Sequence, residues 1–318
     1  MLPPEWLHAA SQRLDGKIRR TPLTHDAARG LYLKWENRQK TGSFKARGAL
    51  NRALILEAWE REMGLVTASA GNHGQGVALA GQIIGAETRV FVSEDAPAVK
   101  IAAMRELGAR VELVAGGYHE AEEAGLAYAK RHDAVWISPY NDGHVIAGQG
   151  TIAAEILDEA PETAEMTWLV PLSGGGLFSG IGAGLAAQAQ NKSATARLVG
   201  VQVEAAAFMH GFFYRGTQAD VRESPSIADG LNGAVEENSI TIPLVKKYAD
   251  EIVLVSEEDV ARAIAFAWQN YGEKVEGAGA VGLAAVLSGK VPQEPSVVII
   301  SGGNIQPDLH DEILKKYA

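Results

Sequence analysis

The strand-to-helix pattern that decides the fold class is clearest in Val66-Thr67-Ala68-Ser69-Ala70-Gly71-Asn72-His73-Gly74-Gln75-Gly76. A short apolar run with β-branched residues leads into a turn of small residues and then into a predicted helix. Because backbone N–H groups at a helix N-terminus attract anions, this turn could bind a carboxylate. An ordinary helix cap by Ser69 or Asn72 explains the same residues equally well.

Similar apolar runs recur along the chain and are predicted to be strands. Most are separated by stretches long enough for a crossover helix, which predicts parallel sheets covered on both faces. Ligand sites of such sheets lie beyond the carboxyl ends of the strands, where the glycine-rich stretches of this sequence also fall. The predicted strands are Leu65–Ala68, Arg89–Val92, Arg110–Val114, Ala134–Ile137, Trp168–Val170, Leu198–Val203 and Val297–Ile300.

The distribution of these strands predicts two domains. Four of them fall within residues 64–141, which no flexible linker separates from the rest of the chain. We therefore predict a small α/β domain at 64–141, inserted in a larger domain formed by residues 1–63 and 142–318. The cleft between the two domains is the expected ligand site. Residues 208–242 are the least regular and are expected to form a long connection.

Composition excludes several classes of function. With 318 residues and 47% hydrophobic composition the chain can bury a substantial core. A formal charge of −10 makes nucleic acids and anionic membrane surfaces poor partners. The N-terminus shows neither a signal peptide nor an apolar run that could span a bilayer, so a cytoplasmic location is expected. The sequence has no Cys, which excludes disulfides and cysteine nucleophiles.

Lys45 is the first candidate for chemistry. It lies between the apolar Phe44 and the start of a predicted helix, in the segment Lys40-Thr41-Gly42-Ser43-Phe44-Lys45-Ala46-Arg47-Gly48-Ala49. Partial desolvation lowers the pKa of an amine and makes it a nucleophile toward an aldehyde. A lysine at a helix start is, taken alone, far more often a surface residue that packs only its apolar stem.

Two further glycine-rich stretches follow predicted strands. Val170-Pro171-Leu172-Ser173-Gly174-Gly175-Gly176-Leu177 would let the backbone close around a phosphate, although it matches neither the dinucleotide fingerprint nor the P-loop. Val298-Ile299-Ile300-Ser301-Gly302-Gly303-Asn304 places a serine at a strand end. A buried serine alone is usually a packing residue that bonds to backbone.

In their order and spacing, these four motifs resemble those of the fold-type II pyridoxal 5′-phosphate (PLP) enzymes, in the threonine/serine dehydratase and serine racemase group. The resemblance also includes Arg20–Leu23, Ile146–Thr151 and Ile227–Gly230, so it extends over nearly the whole chain. It implies an α/β fold of two parallel-sheet domains, the smaller inserted in the larger. It also implies PLP as cofactor, an amino acid as substrate and a homodimer.

The resemblance assigns the cofactor site residue by residue. It implies that Lys45 holds PLP covalently, that Phe44 packs beside the ring and that Asn72 bonds the 3′-oxygen. Ser301 would face the pyridine nitrogen, and Tyr140 is a further residue that the family places beside the ring. The phosphate would lie in the loop Ser173, Gly174, Gly175, Gly176 and Leu177, in which the family usually has a fourth glycine at the position of Ser173.

The resemblance also implies which residues bind the substrate, and it raises the question of a metal site. The substrate carboxylate would bind to Ser69, Ala70, Gly71, Asn72 and His73. Members of the family often bind a divalent cation through a glutamate corresponding to Glu204, a carbonyl near Phe208 and an acidic residue where this chain has His210. Because hard cations prefer oxygen ligands, we predict no metal here.

The implied activity is the removal of water and ammonia from a hydroxy-amino acid, L-threonine or L-serine, to give a 2-oxo acid. A serine racemase and a dehydratase for 3-hydroxyaspartate or phenylserine remain alternatives. Synthases that replace a β-substituent are disfavoured, because their lysine is followed by Asp-Arg and their asparagine by Thr, whereas this chain has Ala46-Arg47 and His73. A PLP-binding protein without turnover is disfavoured by the intact Lys45, Asn72 and His73.

Overall fold

The computed structural model describes residues 2–188, 196–292 and 294–317. The strands within these ranges are β1 Leu23–Asp26, β2 Leu31–Trp35, β3 Leu65–Ala68, β4 Thr88–Ser93, β5 Arg110–Val114, β6 Val135–Trp136, β7 Thr167–Pro171, β8 Arg197–Val203, β9 Glu251–Val255 and β10 Ser296–Ile300. The α-helices are α1 Pro4–Leu14, α2 Lys45–Leu54, α3 Ala58–Met63, α4 Asn72–Ile84, α5 Ala98–Glu106, α6 Tyr118–His132, α7 Gly143–Glu159, α8 Gly176–Gln188, α9 Phe208–Arg215, α10 Thr241–Tyr248, α11 Glu257–Tyr271, α12 Gly277–Leu287 and α13 Pro307–Tyr317.

The larger sheet has six strands in the order β1-β2-β10-β7-β8-β9. The pairs from β2 to β9 are parallel, as predicted, and their strands lie in one large apolar core. The edge strand β1 pairs antiparallel with β2, which the sequence did not predict. The reason is the short turn between them, since a tight turn reverses the chain whereas a parallel pair needs a long crossover.

The smaller sheet has four parallel strands in the order β5-β4-β3-β6. Its central strand β3 is fully buried and ends at Ala68, immediately before the small-residue turn at Ser69. The strands of this sheet lie within residues 65–136, and those of the larger sheet lie before and after them in the chain. The domain limits at 64 and 141 stay a prediction.

Helix α2, which begins at Lys45, packs between the two sheets. Its Leu50 and Ala53 share an apolar cluster with Leu65 of β3, Val77 of α4 and Val145 of α7. The helix also approaches α7 closely, since a Cβ added at Gly148 would lie 2.7 Å from the Cα of Gly48. Lys45, the first residue of α2, therefore lies in a densely packed part of the protein.

A cluster of buried charges fixes the same helix to β2 and α7. Arg47 of α2 forms ion pairs with Glu36, at 2.7 Å between Nε and Oε2, and with Glu155 of α7, at 2.6 Å between Nη1 and Oε1. Lys34 of β2 pairs with the same Glu155 at 2.7 Å and donates a hydrogen bond to the carbonyl of Thr21. The side chains of Lys34, Glu36 and Arg47 are fully buried, so each charge depends on its partner.

The expectation of a long irregular connection at 208–242 is wrong at both ends. Phe208–Arg215 forms α9, which buries Phe208, Met209 and Phe212, and α10 begins at Thr241. A short 3₁₀ turn, Asp229–Leu231, lies between them. No helix in the described part of the chain is long and apolar enough to cross a membrane.

Candidate active site

Lys45 lies where the two sheets meet; the residue as a whole is half-buried, while its amine is enclosed by protein atoms. Its Nζ donates a hydrogen bond to the carbonyl of Pro139, at 2.9 Å, and lies 5.2 Å from the ring centroid of Phe44. Burial lowers the pKa of the Lys45 amine to about 8, while the nearby Glu276 carboxylate acts in the opposite direction. An amine with this pKa is still mostly protonated at neutral pH, but its unprotonated, nucleophilic form is far more abundant there than that of an ordinary lysine.

The segments of Lys45 and Ser301 are joined through backbone. The N–H of Phe44 donates to the carbonyl of Ser301 at 3.0 Å, and Ser43 forms a bridge with Gly302. Ser301 follows β10 and is buried, and its hydroxyl lies 3.4 Å from the carbonyl of Ala278, which it can donate to. The predicted Lys45 and Ser301 motifs are thus neighbours in the fold.

The loop from Ser173 to Leu177 connects β7 to α8 and has the features of a phosphate site. Gly175 has φ of +87°, a conformation that glycine adopts without strain. Gly174, Gly175 and Gly176 are buried, yet their N–H groups have no acceptor among the described residues. Buried N–H groups without a partner are rare, and a bound phosphate would satisfy them.

Tyr140 connects this loop to Lys45. A Cβ added at Gly174 would lie 2.5 Å from Cγ of Tyr140, and one at Gly176 would lie 3.0 Å from its Cβ, so both glycines are needed for the close approach. The preceding residue, Pro139, is the one that accepts the hydrogen bond from Lys45. The carbonyl of Gly174 accepts from the Thr241 hydroxyl at 2.6 Å, which fixes the loop from its other side.

The turn at 69–73 lies at the carboxyl end of β3 and leads into α4. The Ser69 hydroxyl accepts from the N–H of Gly71 at 3.1 Å. The N-cap residue Gly71 has no side chain, and no side chain caps the helix. The ordinary cap considered from the sequence is therefore not formed, and the N–H groups of Asn72 and His73 have no acceptor among the described residues.

Two side chains of this turn are oriented by hydrogen bonds. The Asn72 amide donates to Oε1 of Glu276 at 2.6 Å and accepts from Nδ2 of Asn304 at 2.6 Å. His73 bonds through Nε2 to the carbonyl of Ile137, at 2.9 Å, so Nε2 carries the proton. Burial, with a smaller effect of Lys45, lowers the pKa of His73 to about 3, which keeps the imidazole neutral.

Glu276 is a site residue that the sequence analysis missed. Burial raises its pKa to about 7, the nearby Asp229 carboxylate acts in the same direction, and the hydrogen bond from Asn72 opposes both. A Cβ added at Gly302 would overlap Oε1 of Glu276, so the carboxyl group packs directly on the Ser301 motif. In the sequence Glu276 only precedes an alanine- and glycine-rich helix, and no local pattern distinguishes it.

His210, which takes the place of the acidic residue in the family's cation site, contacts Gln202 and Tyr214. Its backbone N–H donates to Oε1 of Gln202 at 2.6 Å, and its ring packs 4.6 Å from that of Tyr214. Burial, followed by the positive charge of Arg215, lowers its pKa. No group of three or more His, Cys, Asp or Glu residues in the described ranges is arranged to hold a metal ion.

The site therefore combines an enclosed amine of lowered pKa with a glycine loop whose N–H groups have no acceptor within the described ranges, and both lie against Tyr140 and Pro139. These residues fit PLP, whose aldehyde reacts with a lysine amine and whose phosphate needs backbone donors. Residues 14–302 match the family of pyridoxal-phosphate dependent enzymes. The chain belongs to this family, and PLP is its cofactor.

Comparison with known proteins shows which PLP-dependent enzymes this chain is similar to. The chain is 41% identical over 323 residues to the L-threonine ammonia-lyase of Thermotoga maritima, an alignment that covers 99% of this chain and 79% of the relative. Among solved structures, maize serine racemase superposes with a TM-score of 0.88 and 29% identity, covering 98% of this chain and 97% of the racemase. The processed threonine deaminase isoform 2 of Solanum lycopersicum has a TM-score of 0.88 and 28% identity, with 98% and 92% covered. The fold class predicted from the sequence is confirmed.

Proposed function

We propose that the chain is a PLP-dependent ammonia-lyase that converts L-threonine or L-serine into a 2-oxo acid and ammonia. The observation that carries this proposal is the buried Lys45 amine, with a pKa of about 8, bonded to the carbonyl of Pro139 beside the glycine loop. Relatives at 35–41% identity are named threonine ammonia-lyases or dehydratases, which supports the same reaction.

The cofactor would be held by residues from both sheets. When bound, PLP supplies the electron sink that stabilises negative charge at the substrate Cα. The N–H groups of Gly174, Gly175 and Gly176 would hold its phosphate, and Asn72 would bond the ring oxygen through an amide already oriented by Glu276. Ser301 would face the ring nitrogen. Because a hydroxyl cannot keep that nitrogen protonated as an aspartate does, it favours prompt elimination.

Lys45 would move the protons of the reaction. An amine with a pKa near the working pH is an efficient general base, so Lys45 is suited to remove the proton from the substrate Cα. The same amine, once protonated, can donate to the departing hydroxyl. His73 stays neutral in this environment and therefore acts by positioning the turn through Ile137 rather than by titrating.

The substrate carboxylate would lie at the start of α4. The N–H groups of Asn72 and His73 lie there with no acceptor in the part of the chain that the structure describes, and the helix dipole favours a negative charge. Ser69 keeps the turn compact through its bond to Gly71. A carboxylate held at this turn lies between the two sheets and close to Lys45, as the proton transfer requires.

Serine racemisation is the second candidate, because a racemase is among the most similar structures. Racemisation needs acid–base groups on both faces of the planar carbanion, and Lys45 serves only one. At position 70, where racemases of the family have a serine, this chain has an alanine whose methyl group packs on the cluster of Ala78 and Val90. Elimination is therefore the better supported reaction.

The test is a steady-state assay with L-threonine, L-serine, 3-hydroxyaspartate and phenylserine, in which 2-oxo acid and ammonia are measured together. We expect the first two substrates to have the highest kcat/KM and Lys45→Ala to abolish turnover. Absence of 2-oxo acid from all four substrates would refute the proposal and favour a PLP-binding protein without turnover. The homodimer and the cytoplasmic location stay predictions, which sedimentation and cell fractionation test.

A further inference from the structure

One ion pair joins the two sheets beside the candidate site, and both of its charges also act on the Glu276 carboxyl group. Lys100 of α5 lies on the smaller sheet, and Asp229 begins the 3₁₀ turn on the larger one. Their Nζ and Oδ2 atoms are 2.8 Å apart. Among the ion pairs formed by the described residues, this one alone links residues 64–141 to the rest of the chain.

The helix of Lys100 supports the turn that would bind the substrate. Ile101 and Met104 of α5 pack into the same cluster as Ala70 and Ala78. A Cβ added at Gly74, in the first turn of α4, would lie 2.5 Å from Sδ of Met104, so the two helices touch at this point. A displacement of α5 would therefore move the turn at 69–73.

The turn of Asp229 supports the opposite side of the site. A Cβ added at Gly277, the first residue of α12, would overlap the carbonyl of Ile227, and one at Gly230 would lie 3.0 Å from Cβ of Ala278. The turn is thus packed on the start of α12, directly after Glu276, and Glu276 accepts the hydrogen bond from Asn72.

The contacts form a closed ring. It runs from Lys100 through α5 and α4 to Asn72, crosses to Glu276, and returns through the start of α12 to Asp229. Within this ring the Asn72–Glu276 hydrogen bond is the inner link between the sheets and the Lys100–Asp229 ion pair is the outer one. The Lys100 side chain is only 16% exposed, so its position is constrained, whereas Asp229 is 60% exposed.

We propose that Lys100 and Asp229 are a positioning pair, which holds the substrate-binding turn at its distance from Lys45 and Glu276. Neither side chain needs to touch the substrate. This inference rests on the proposed binding of the substrate carboxylate at residues 69–73. Its consequence is that the charge of the pair acts on substrate affinity more than on the chemical step, because the pair sets how close the two sides of the site lie.

The experiment uses charge reversal and charge exchange in the PLP-loaded protein. For Lys100→Glu and for Asp229→Lys we expect KM for L-threonine to rise about fivefold, since ion pairs of this exposure contribute up to that factor, with a smaller change in kcat. The double variant Lys100→Glu/Asp229→Lys should recover most of the affinity. Lys130→Glu is the matched control, because Lys130 is an exposed helix residue that forms no ion pair with described residues.

A second readout does not depend on turnover. L-Alanine lacks a β-hydroxyl and cannot lose water, so its dissociation constant can be measured from the change in cofactor absorbance. We expect the dissociation constants of the unmodified protein and its variants to follow the same order as their KM values. Raising the salt concentration from about 0.05 M to about 0.5 M should weaken binding more in the unmodified protein than in Lys100→Gln, because the Debye length shortens.

Single reversals that leave both KM and the L-alanine dissociation constant unchanged would overturn the pair as a positioning device. The same conclusion would follow if the double variant had a KM and an L-alanine dissociation constant no lower than those of the single variants. Urea unfolding of each variant distinguishes a folding defect, and the neutral Lys100→Gln and Asp229→Asn replace any variant that does not fold. If the unmodified protein produces no 2-oxo acid, the proposed function fails, whereas the L-alanine comparison still decides the role of the pair.

Discussion

Replacing Lys45 with Met should stabilise the PLP-free protein at neutral pH. Folding buries the amine and lowers its pKa from 10.5 to about 8. The difference of about 2.5 multiplied by about 1.4 kcal/mol per tenfold gives about 3 kcal/mol as the cost of burying the charged amine. Met has a similar length without the charge. Losing the hydrogen bond to the carbonyl of Pro139 costs about 1 kcal/mol. The net gain is therefore about 2 kcal/mol at pH about 7.

The sign of the pH dependence follows from the same pKa. Between pH about 8 and 10.5 the unfolded chain holds a proton on Lys45 that the folded protein has released. The free energy of unfolding of the unmodified protein therefore rises with pH across this window. The advantage of Met should shrink over the same window, and above it only the lost hydrogen bond should remain.

The measurement is urea unfolding of PLP-free protein, followed by circular dichroism at pH about 7 and about 10.5. Lys130→Met is the control, because this exposed lysine carries no burial cost. We expect the control to change the free energy of unfolding by less than about 0.5 kcal/mol at either pH. A Lys45→Met protein that is less stable than the unmodified one at neutral pH, or a difference that does not change with pH, would refute the reasoning.

Three further predictions concern the cofactor, the proton and the metal. Gly175→Asp should weaken PLP binding at least about tenfold, because it adds a carboxylate beside the phosphate at a residue with φ of +87°. The measurement is a titration of the PLP-free protein with PLP, and an unchanged affinity would contradict the phosphate site. Gly175→Ala is the control that separates the effect of backbone strain from that of charge. Ala70→Ser should give D-serine from L-serine alongside pyruvate, whereas D-serine formed by the unmodified protein as fast as pyruvate would refute the assignment of Ala70. Treatment with EDTA should leave the rate unchanged, and a large loss restored by Mg²⁺ or Ca²⁺ would show that Glu204 and its neighbours bind a cation.

Most of the described strands were predictable from short runs rich in apolar and β-branched residues. All seven predicted strands are present, and their ends differ from the predicted ones by at most one residue. Three strands were missed: β1, which reads Leu-Thr-His-Asp and lies at an edge, β2, which contains the buried Lys34, and β9, whose mostly apolar run Glu-Ile-Val-Leu-Val was not assigned as a strand. A lysine in a strand looks like a solvent-facing residue, because the ion pair that permits its burial comes from Glu155, far along the chain.

The candidate site shows the same difference between local sequence patterns and distant contacts. Lys45, the glycine loop and the turn at 69–73 were identified because each is a continuous stretch at a strand end or a helix start. Glu276 was missed because its significance depends on Asn72, which is 204 residues away in the sequence. The separation of Lys100 and Asp229 is 129 residues, so nothing local indicates that they meet. Functional residues that lie in one continuous segment can be identified from the sequence, whereas contacts between distant segments can be identified only from the fold.

The buried charges around Arg47 have a consequence for how this protein can evolve. Each of Lys34, Glu36, Arg47 and Glu155 neutralises another, so a single neutral substitution leaves a buried charge without its counterion, at a cost of about 3–5 kcal/mol. Replacing all four by apolar residues of similar volume need not carry that cost. Natural variants should therefore keep the whole set or lose it together, and we expect these four positions to covary as one unit among relatives that carry α2 in the same place.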